Sequence, residues 1–271
     1  MTPWVKRILI ANVLVWLLLG PGLTGQGLLP IERLYGYFAL VPAEVHLRPW
    51  TAFTYMFLHA PGLWHLFLNM LILFFFGSRL EAKVGGRQFL LLYLMAGVMG
   101  AILQVASVFL LGFMETNPFV PTVGASAAVL GVLYGFSRYW PQERVYLMLV
   151  IPVGARPLVL FFAGFSIFAG LTGVAPGIAH WAHLGGILGG FLFLLWRDRN
   201  TRAARFKRKV EGPTVRVVSG QDLERWKSVD PQRLHPLNRQ EYERILGKVE
   251  ERGADSLTPN ERGFLDRFVR E

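Results

Sequence analysis

Long apolar runs fill the first 196 residues, and most charged residues in that stretch fall between them or near their ends. About 20 apolar residues cross a bilayer core, and on that rule six spans are marked, at residues 5–20, 63–78, 88–112, 124–140, 145–173 and 179–196. The fifth is interrupted at its start by Pro152, Gly154, Arg156 and Pro157, which bend it or confine its first part to the interface. Lys6 and Arg7 ahead of the first run resemble the start of a signal peptide, yet no small-x-small cleavage site follows and more spans come after, so the run reads as an anchor. The pattern predicts an all-α membrane protein built as a six-helix bundle over residues 1–196.

After residue 196 the pattern changes. Residues 1–196 hold 10 Lys/Arg and 5 Glu without Asp, whereas 197–271 hold 18 Lys/Arg and 13 Asp/Glu. Arg197 to Lys209 is a basic stretch, read as a topology signal or as a patch against anionic lipid. Residues 197–236 are expected to form a basic linker containing Pro213, Gly220, Pro231 and Pro236, and 237–271 a cytoplasmic helical hairpin. Asn238 with Glu241 and Thr258 with Glu261 have capping-box spacing, Pro259 suits a first helical position and Gly253 a stop. Tyr242, Ile245, Leu246 and Val249 on one helix face Leu257, Phe264, Leu265 and Phe268 on the other.

Charge then orients the bundle. Arg79, Lys83 and Arg87 follow span 2, Arg138 and Arg144 follow span 4, and the dense basic cluster follows span 6, while the alternate connections carry little positive charge. By the positive-inside rule both termini are cytoplasmic. A net charge of +10 is therefore explained by span flanks, with no basic-aromatic motif to point to nucleic acid. The absence of cysteine excludes disulfides, thiolate zinc sites and cysteine nucleophiles.

With the orientation fixed, a rise of about 1.5 Å per residue places four polar side chains in one layer, on the order of 10 Å below the outer surface: His65 and Asn69 in span 2, Ser126 in span 4 and His183 in span 6. Polar groups inside a membrane are costly and usually functional. Ser126 is a candidate nucleophile and His183 its base; His180, one turn earlier, lies nearer the interface and is the weaker candidate. No carboxylate shares that depth, so a Ser-His dyad is expected in place of a triad. His65 and Asn69, at i and i+4, and the Ser126 backbone N–H supply donors for an oxyanion. Gly131, Gly135, Gly185, Gly186, Gly189 and Gly190 would let spans 4 and 6 approach closely, although such glycines pack helices in many bundles. Each residue has a plainer reading too: Ser126 as a packing residue, Asn69 as an interhelical hydrogen bond, the histidines as metal ligands in a site that lacks carboxylates. No cofactor or metal is expected.

His65-Leu66-Phe67-Leu68-Asn69, Gly124-Ala125-Ser126 and Ala182-His183-Leu184-Gly185-Gly186, on the second, fourth and sixth spans, resemble the HxxxN, GxS and AHxxG motifs of the rhomboid intramembrane serine proteases. The resemblance covers residues 1–196 and implies cleavage of peptide bonds in or beside transmembrane segments, with Ser126 as nucleophile and His183 as general base. Three departures stand out: Ala127 where glycine is common after the serine, Leu130 where an aromatic is common, and Thr51 after Trp50 where a Trp-Arg pair is frequent, the nearest arginine being Arg48. Tyr55, Phe57 and Trp64 fit an interfacial loop. Ser256-Leu257-Thr258-Pro259-Asn260-Glu261 resembles a short helical module appended to some bacterial members of the family, which implies a bacterial plasma membrane and leaves a cytoplasmic partner or self-association through 237–271 open. The expected partners are single-span membrane protein substrates and the bilayer. A non-catalytic rhomboid-like protein that binds or escorts transmembrane segments is the alternative; a transporter fits worse, because neither repeated halves nor a charged pathway is evident.

Overall fold

The computed structural model of the chain describes residues 1–19, 36–60, 62–110, 117–147, 151–175, 177–200 and 220–269. Two compact units divide it, Met1–Arg197 and Asp198–Glu271.

In the first unit, helices α1 (Pro3–Leu19), α2 (Leu63–Val84), α3 (Gly86–Leu110), α4 (Ser126–Tyr139), α5 (Ala155–Thr172) and α6 (His180–Asn200) stand where the six apolar runs lie. By length and composition α2, α3 and α5 each suffice to cross a membrane. α1, α4 and α6 do not by that measure, and α4 has only 14 residues, ten of them buried, because α2, α3, α5 and α6 surround it. At 1.5 Å per residue it measures about 21 Å, short of a hydrocarbon core of about 30 Å. The chain approaches its first residue as extended backbone instead, bridging Leu40 to Thr122 and donating the Gly124 N–H to the Tyr55 carbonyl at 3.0 Å. Non-helical backbone at membrane depth is tolerated where protein groups satisfy it in this way.

The fifth span starts later than the sequence indicates. Residues 144–154 form an antiparallel hairpin, β1 (Arg144–Leu147) against β2 (Ile151–Gly154), in the register Arg144↔Gly154 and Leu147↔Ile151. Val145, Tyr146, Ile151 and Val153 favour strand, while Pro152 and Gly154 stop any helix before Ala155. Tyr55 also departs from expectation. It is 1% exposed, deep in the bundle, with its hydroxyl donating to the Gly97 carbonyl at 2.7 Å, whereas Trp64 is exposed. Trp50 and Arg48 hold the segment before them, donating to the carbonyls of Tyr37 and Gly36.

Two polar fastenings close the end of the bundle opposite Ser126. The Glu81 carboxylate of α2, buried, accepts from the N–H groups of Trp4 and Val5 at 3.1 and 2.9 Å and from the Thr2 hydroxyl, so a residue 76 positions away satisfies the first turn of α1. Arg79 pairs with Glu143 at 2.8 Å and lies over the rings of Phe136 and Trp140.

The second unit contains α7 (Gly220–Lys227), α8 (Pro236–Arg252) and α9 (Pro259–Phe268) around a core of Trp226, Tyr242, Ile245, Val249, Leu257 and Leu265. α7 lies within the segment read as linker, where Trp226 adds to the core, donates its indole N–H to Asp266 and accepts on its carbonyl from the Tyr242 hydroxyl. Thr258 and Glu261 form a full capping box with Pro259 at N1, and Gly253 ends α8 at φ +77°. The Asn238–Glu241 box does not form. Pro236 at N1 starts α8 earlier, with His235 as N-cap, and Asn238 falls inside the first turn. Residues 201–219, which include most of the basic cluster, lie outside the described residues.

Candidate active site

Ser126 is the first residue of α4, and Ala125 before it provides no side-chain cap. The first turn of a helix has N–H groups without intrahelical partners, so the Ser126 N–H sits at the positive end of the helix. Gly124 makes room for the His65 ring. Its φ of +129° is closed to most side chains, and a Cβ there would meet His65 Nε2 at 2.7 Å.

His183 lies in the first turn of α6. Its Nε2 is 2.8 Å from Ser126 Oγ. A hydroxyl that donates to Nε2 requires the ring proton on Nδ1, and among the described residues no carboxylate bonds to this ring. The approach of α4 and α6 that brings the pair together is made by glycine: a Cβ on Gly186 would fall 2.0 Å from the Ala127 carbonyl oxygen, and one on Gly190 would fall 2.7 Å from that of Gly131. Gly185 and Gly189 face elsewhere, against Met99 and Ala96 of α3. Thus the glycine row of α6 serves two interfaces, with alternate members on each.

His65, in the first turn of α2, accepts the Ala60 N–H on Nδ1 at 3.4 Å, which leaves the proton on Nε2, the nitrogen beside Gly124. His59, buried, lies edge-on to it with ring centroids 5.1 Å apart. Asn69 is buried one turn further along α2 and uses one amide proton on the His65 carbonyl at 2.8 Å. Its second amide proton is not used by that bond. The structure therefore brings together Ser126, His183 and the Nε2 edge of His65, with Asn69 tied to the backbone of His65.

One contributor escaped the sequence reading. Gln104 of α3 accepts the Ala182 N–H on Oε1 at 3.3 Å, satisfying an orphan donor in the very turn that carries His183. An amide side chain well inside a largely apolar span was the available signal.

A family model described as a rhomboid domain matches residues 46–198, more than half of the chain. Among similar proteins, RHOMBOID-like protein 4 of Arabidopsis thaliana is 35% identical over 144 residues, 53% of this chain and 32% of that one. The mitochondrial presenilin-associated rhomboid-like protein of Homo sapiens is 29% identical over 210 residues, 72% and 50% of the two chains. Rhomboid-like protease 3 of Toxoplasma gondii is 28% identical over 170 residues, 59% and 56%. The chain thus spans about a third to a half of the length of most of the relatives it matches. They come from plants, yeast, primates and a parasite, and three carry mitochondrial names, so they lend no support to a bacterial plasma membrane. With the domain match spanning all three motif segments and helices in the expected order, the chain is a multi-pass membrane protein of the rhomboid family.

Proposed function

We propose that this protein is an intramembrane serine endopeptidase that cleaves peptide bonds in or near transmembrane segments of single-span membrane proteins through a Ser126–His183 dyad. The observation that carries the reading is the 2.8 Å hydrogen bond between Ser126 Oγ and His183 Nε2. A protein that only binds or escorts transmembrane segments has no use for that bond.

In the proposed reaction, His183 Nε2 takes the Ser126 proton as Oγ attacks the scissile carbonyl carbon. The negative charge that develops on the carbonyl oxygen is met by the Ser126 N–H and the His65 Nε2–H, with the second amide proton of Asn69 available behind them. The proton on His183 then passes to the leaving amide nitrogen, the C–N bond breaks, and an acyl ester remains on Ser126. Water enters, gives a proton to Nε2, attacks the ester and releases the carboxylic acid, and Ser126 Oγ regains its proton from His183. Because α4 begins roughly a third of the way into the hydrocarbon, that water has to travel only on the order of 10 Å from the outer face.

A peptide bond must be extended to be attacked, while a spanning substrate keeps its backbone bonds inside a helix. Substrates weak in helix near the outer face should therefore be cut best. The direct test is labelling of purified protein with a serine-reactive fluorophosphonate and cleavage of a model transmembrane substrate, with Ser126→Ala and His183→Ala beside wild type. Both variants should lose both activities while remaining folded; labelling that survives Ser126→Ala, or cleavage that survives either substitution, would remove the assignment.

A further inference from the structure

The connection from α5 to α6 turns by way of left-handed residues, with Gly173 at φ +70° and Gly177 at φ +88°. Between them Ala175 stands at φ +60°, and it is the only non-glycine residue with positive φ among the described residues. Side chains rarely adopt that conformation, and such a residue persists where its surroundings hold it. What holds it is His180, the first residue of α6 and 6% exposed, whose Nε2 lies 3.3 Å from the Ala175 carbonyl oxygen. A carbonyl only accepts, so Nε2 carries the ring proton and His180 is the donor. Nδ1 of the same ring is buried and has no partner, and neither nitrogen bonds to Ser126. The ring is wedged edge-on between Phe165 of α5, centroids 5.7 Å apart, and His183, centroids 6.3 Å apart with planes at 87°.

From this geometry we infer that His180 is a positioning residue: its hydrogen bond to the Ala175 carbonyl holds the α5–α6 turn in its left-handed form against the base-bearing end of α6. The inference rests on the dyad reading of Ser126 and His183. Val174 and Ile178, in the same connection on either side of Ala175 in sequence, expose apolar side chains. On this proposal a transmembrane substrate, with its large apolar surface, contacts that exposed apolar turn when it binds, whereas a small phosphonate does not. Loss of the bond therefore makes each substrate-binding event order the turn again, an effect on KM, and leaves the chemistry of the dyad in place.

Two substitutions separate hydrogen bond from wedge. His180→Phe keeps a flat ring between Phe165 and His183 but has no donor; His180→Gln lacks the ring but places an N–H at similar reach, and cannot serve as a base. In wild type and both variants, the rate of fluorophosphonate labelling is measured together with kcat and KM for a model transmembrane substrate. For His180→Phe, labelling and kcat should stay within about twofold of wild type while KM rises about five- to tenfold, the span given by one net hydrogen bond. His180→Gln should return KM to within about twofold of wild type, and adding Ala175→Gly to His180→Phe should recover part of the loss, since glycine holds φ +60° unaided. An unchanged KM in His180→Phe, or no recovery in His180→Gln, overturns the inference. So does loss of labelling in both variants, which would place His180 in the chemistry. Wild type that neither labels nor cleaves fails at the dyad reading, a result separate from any difference among the His180 variants.

Discussion

Gly186→Ala puts the geometry of the dyad to its sharpest test. One added methyl at this position would lie 2.0 Å from the Ala127 carbonyl oxygen, 2.5 Å from its carbon and 2.7 Å from its Cα. All three atoms belong to the backbone of α4, so no side chain can rotate away. Contacts under 3.0 Å are essentially never made by real Cβ atoms, and α4 and α6 must therefore part by at least about 1 Å, or α6 must roll. Ser126 precedes Ala127 directly, and His183 lies one helical turn before Gly186 on the same face. A separation of 1 Å there takes the Oγ···Nε2 distance from 2.8 Å to nearly 4 Å, which is no longer a hydrogen bond.

Overpacking of this kind destabilises by about 1–3 kcal/mol, and a misplacement of about 1 Å between nucleophile and base costs about 10²-fold in rate. The measurements are cleavage of the model substrate and the thermal midpoint in the same detergent. Two relatives of the substitution locate the effect. A Cβ at Gly185 would meet the Met99 carbonyl of α3 at 2.5 Å, so Gly185→Ala should destabilise comparably while disturbing the dyad less; Gly164 in α5 has nothing within 4 Å, and Gly164→Ala should leave both readings near wild type. Wild-type cleavage by Gly186→Ala, or an equal loss from Gly164→Ala, would refute the argument that glycine contact sets the Ser126–His183 distance.

Glu81→Ala orphans two backbone N–H groups and a hydroxyl at the start of α1, and should lower stability by about 2–3 kcal/mol, read as a drop in thermal midpoint; Glu81→Gln keeps an acceptor and should lose less. His65→Ala removes a donor aimed beside Gly124 and should lower kcat about 10²-fold with little change in KM, whereas Asn69→Ala should cost less, because its described bond is to the His65 carbonyl; a pure KM effect of either would assign the residue to substrate binding. In the second unit, Lys248, the Thr258 N–H and hydroxyl, and Arg244 hold the Glu261 carboxyl down from 4.5 to about 2. Stability from this group is then complete above about 4.5 and fades as pH falls toward about 2, so cleavage of α8 and α9 by an acid-active protease should rise through that window and Glu261→Gln should flatten the profile.

Much of the first unit was legible because the bilayer constrains sequence so strongly. Apolar runs mark where the six helices stand, and counting residues from the basic flanks groups Ser126 and His183, which the structure joins by a hydrogen bond, with His65 and Asn69. What the sequence could not reveal depends on partners far along the chain. Glu81 reads as an ordinary cytoplasmic flank until α1 is seen to start on its carboxylate. Tyr55 reads as an interfacial aromatic until its hydroxyl is found on the Gly97 carbonyl inside the bundle. The hairpin at 144–154 was disguised by its own apolarity, since continuous apolar strands and helices share one hydropathy profile and only Pro152 and Gly154 tell them apart. The glycine row of α6 has a visible period, but periodicity does not say which glycine meets α4 and which meets α3.

The shortness of α4 ties these features into one physical argument. Opening a serine to water inside a membrane requires a helix that begins below the surface, and a helix that begins there leaves extended backbone above it in the hydrocarbon layer. That backbone has to be satisfied by protein, which is what Leu40, Tyr55 and the segment around them do for Thr122 and Gly124. The same short helix has N–H groups without intrahelical partners at its start, so in the proposed mechanism the arrangement that admits water also furnishes a donor for the oxyanion. A 14-residue helix can afford to be short only when its neighbours shield it from lipid on every side, and shielding so close requires glycine at 131 and 186 where backbones touch. Lengthening α4 at its outer end, by giving Gly124 and Ala125 residues that favour helix, would for that reason remove the access and the donor together, and should abolish fluorophosphonate labelling even with Ser126 and His183 intact.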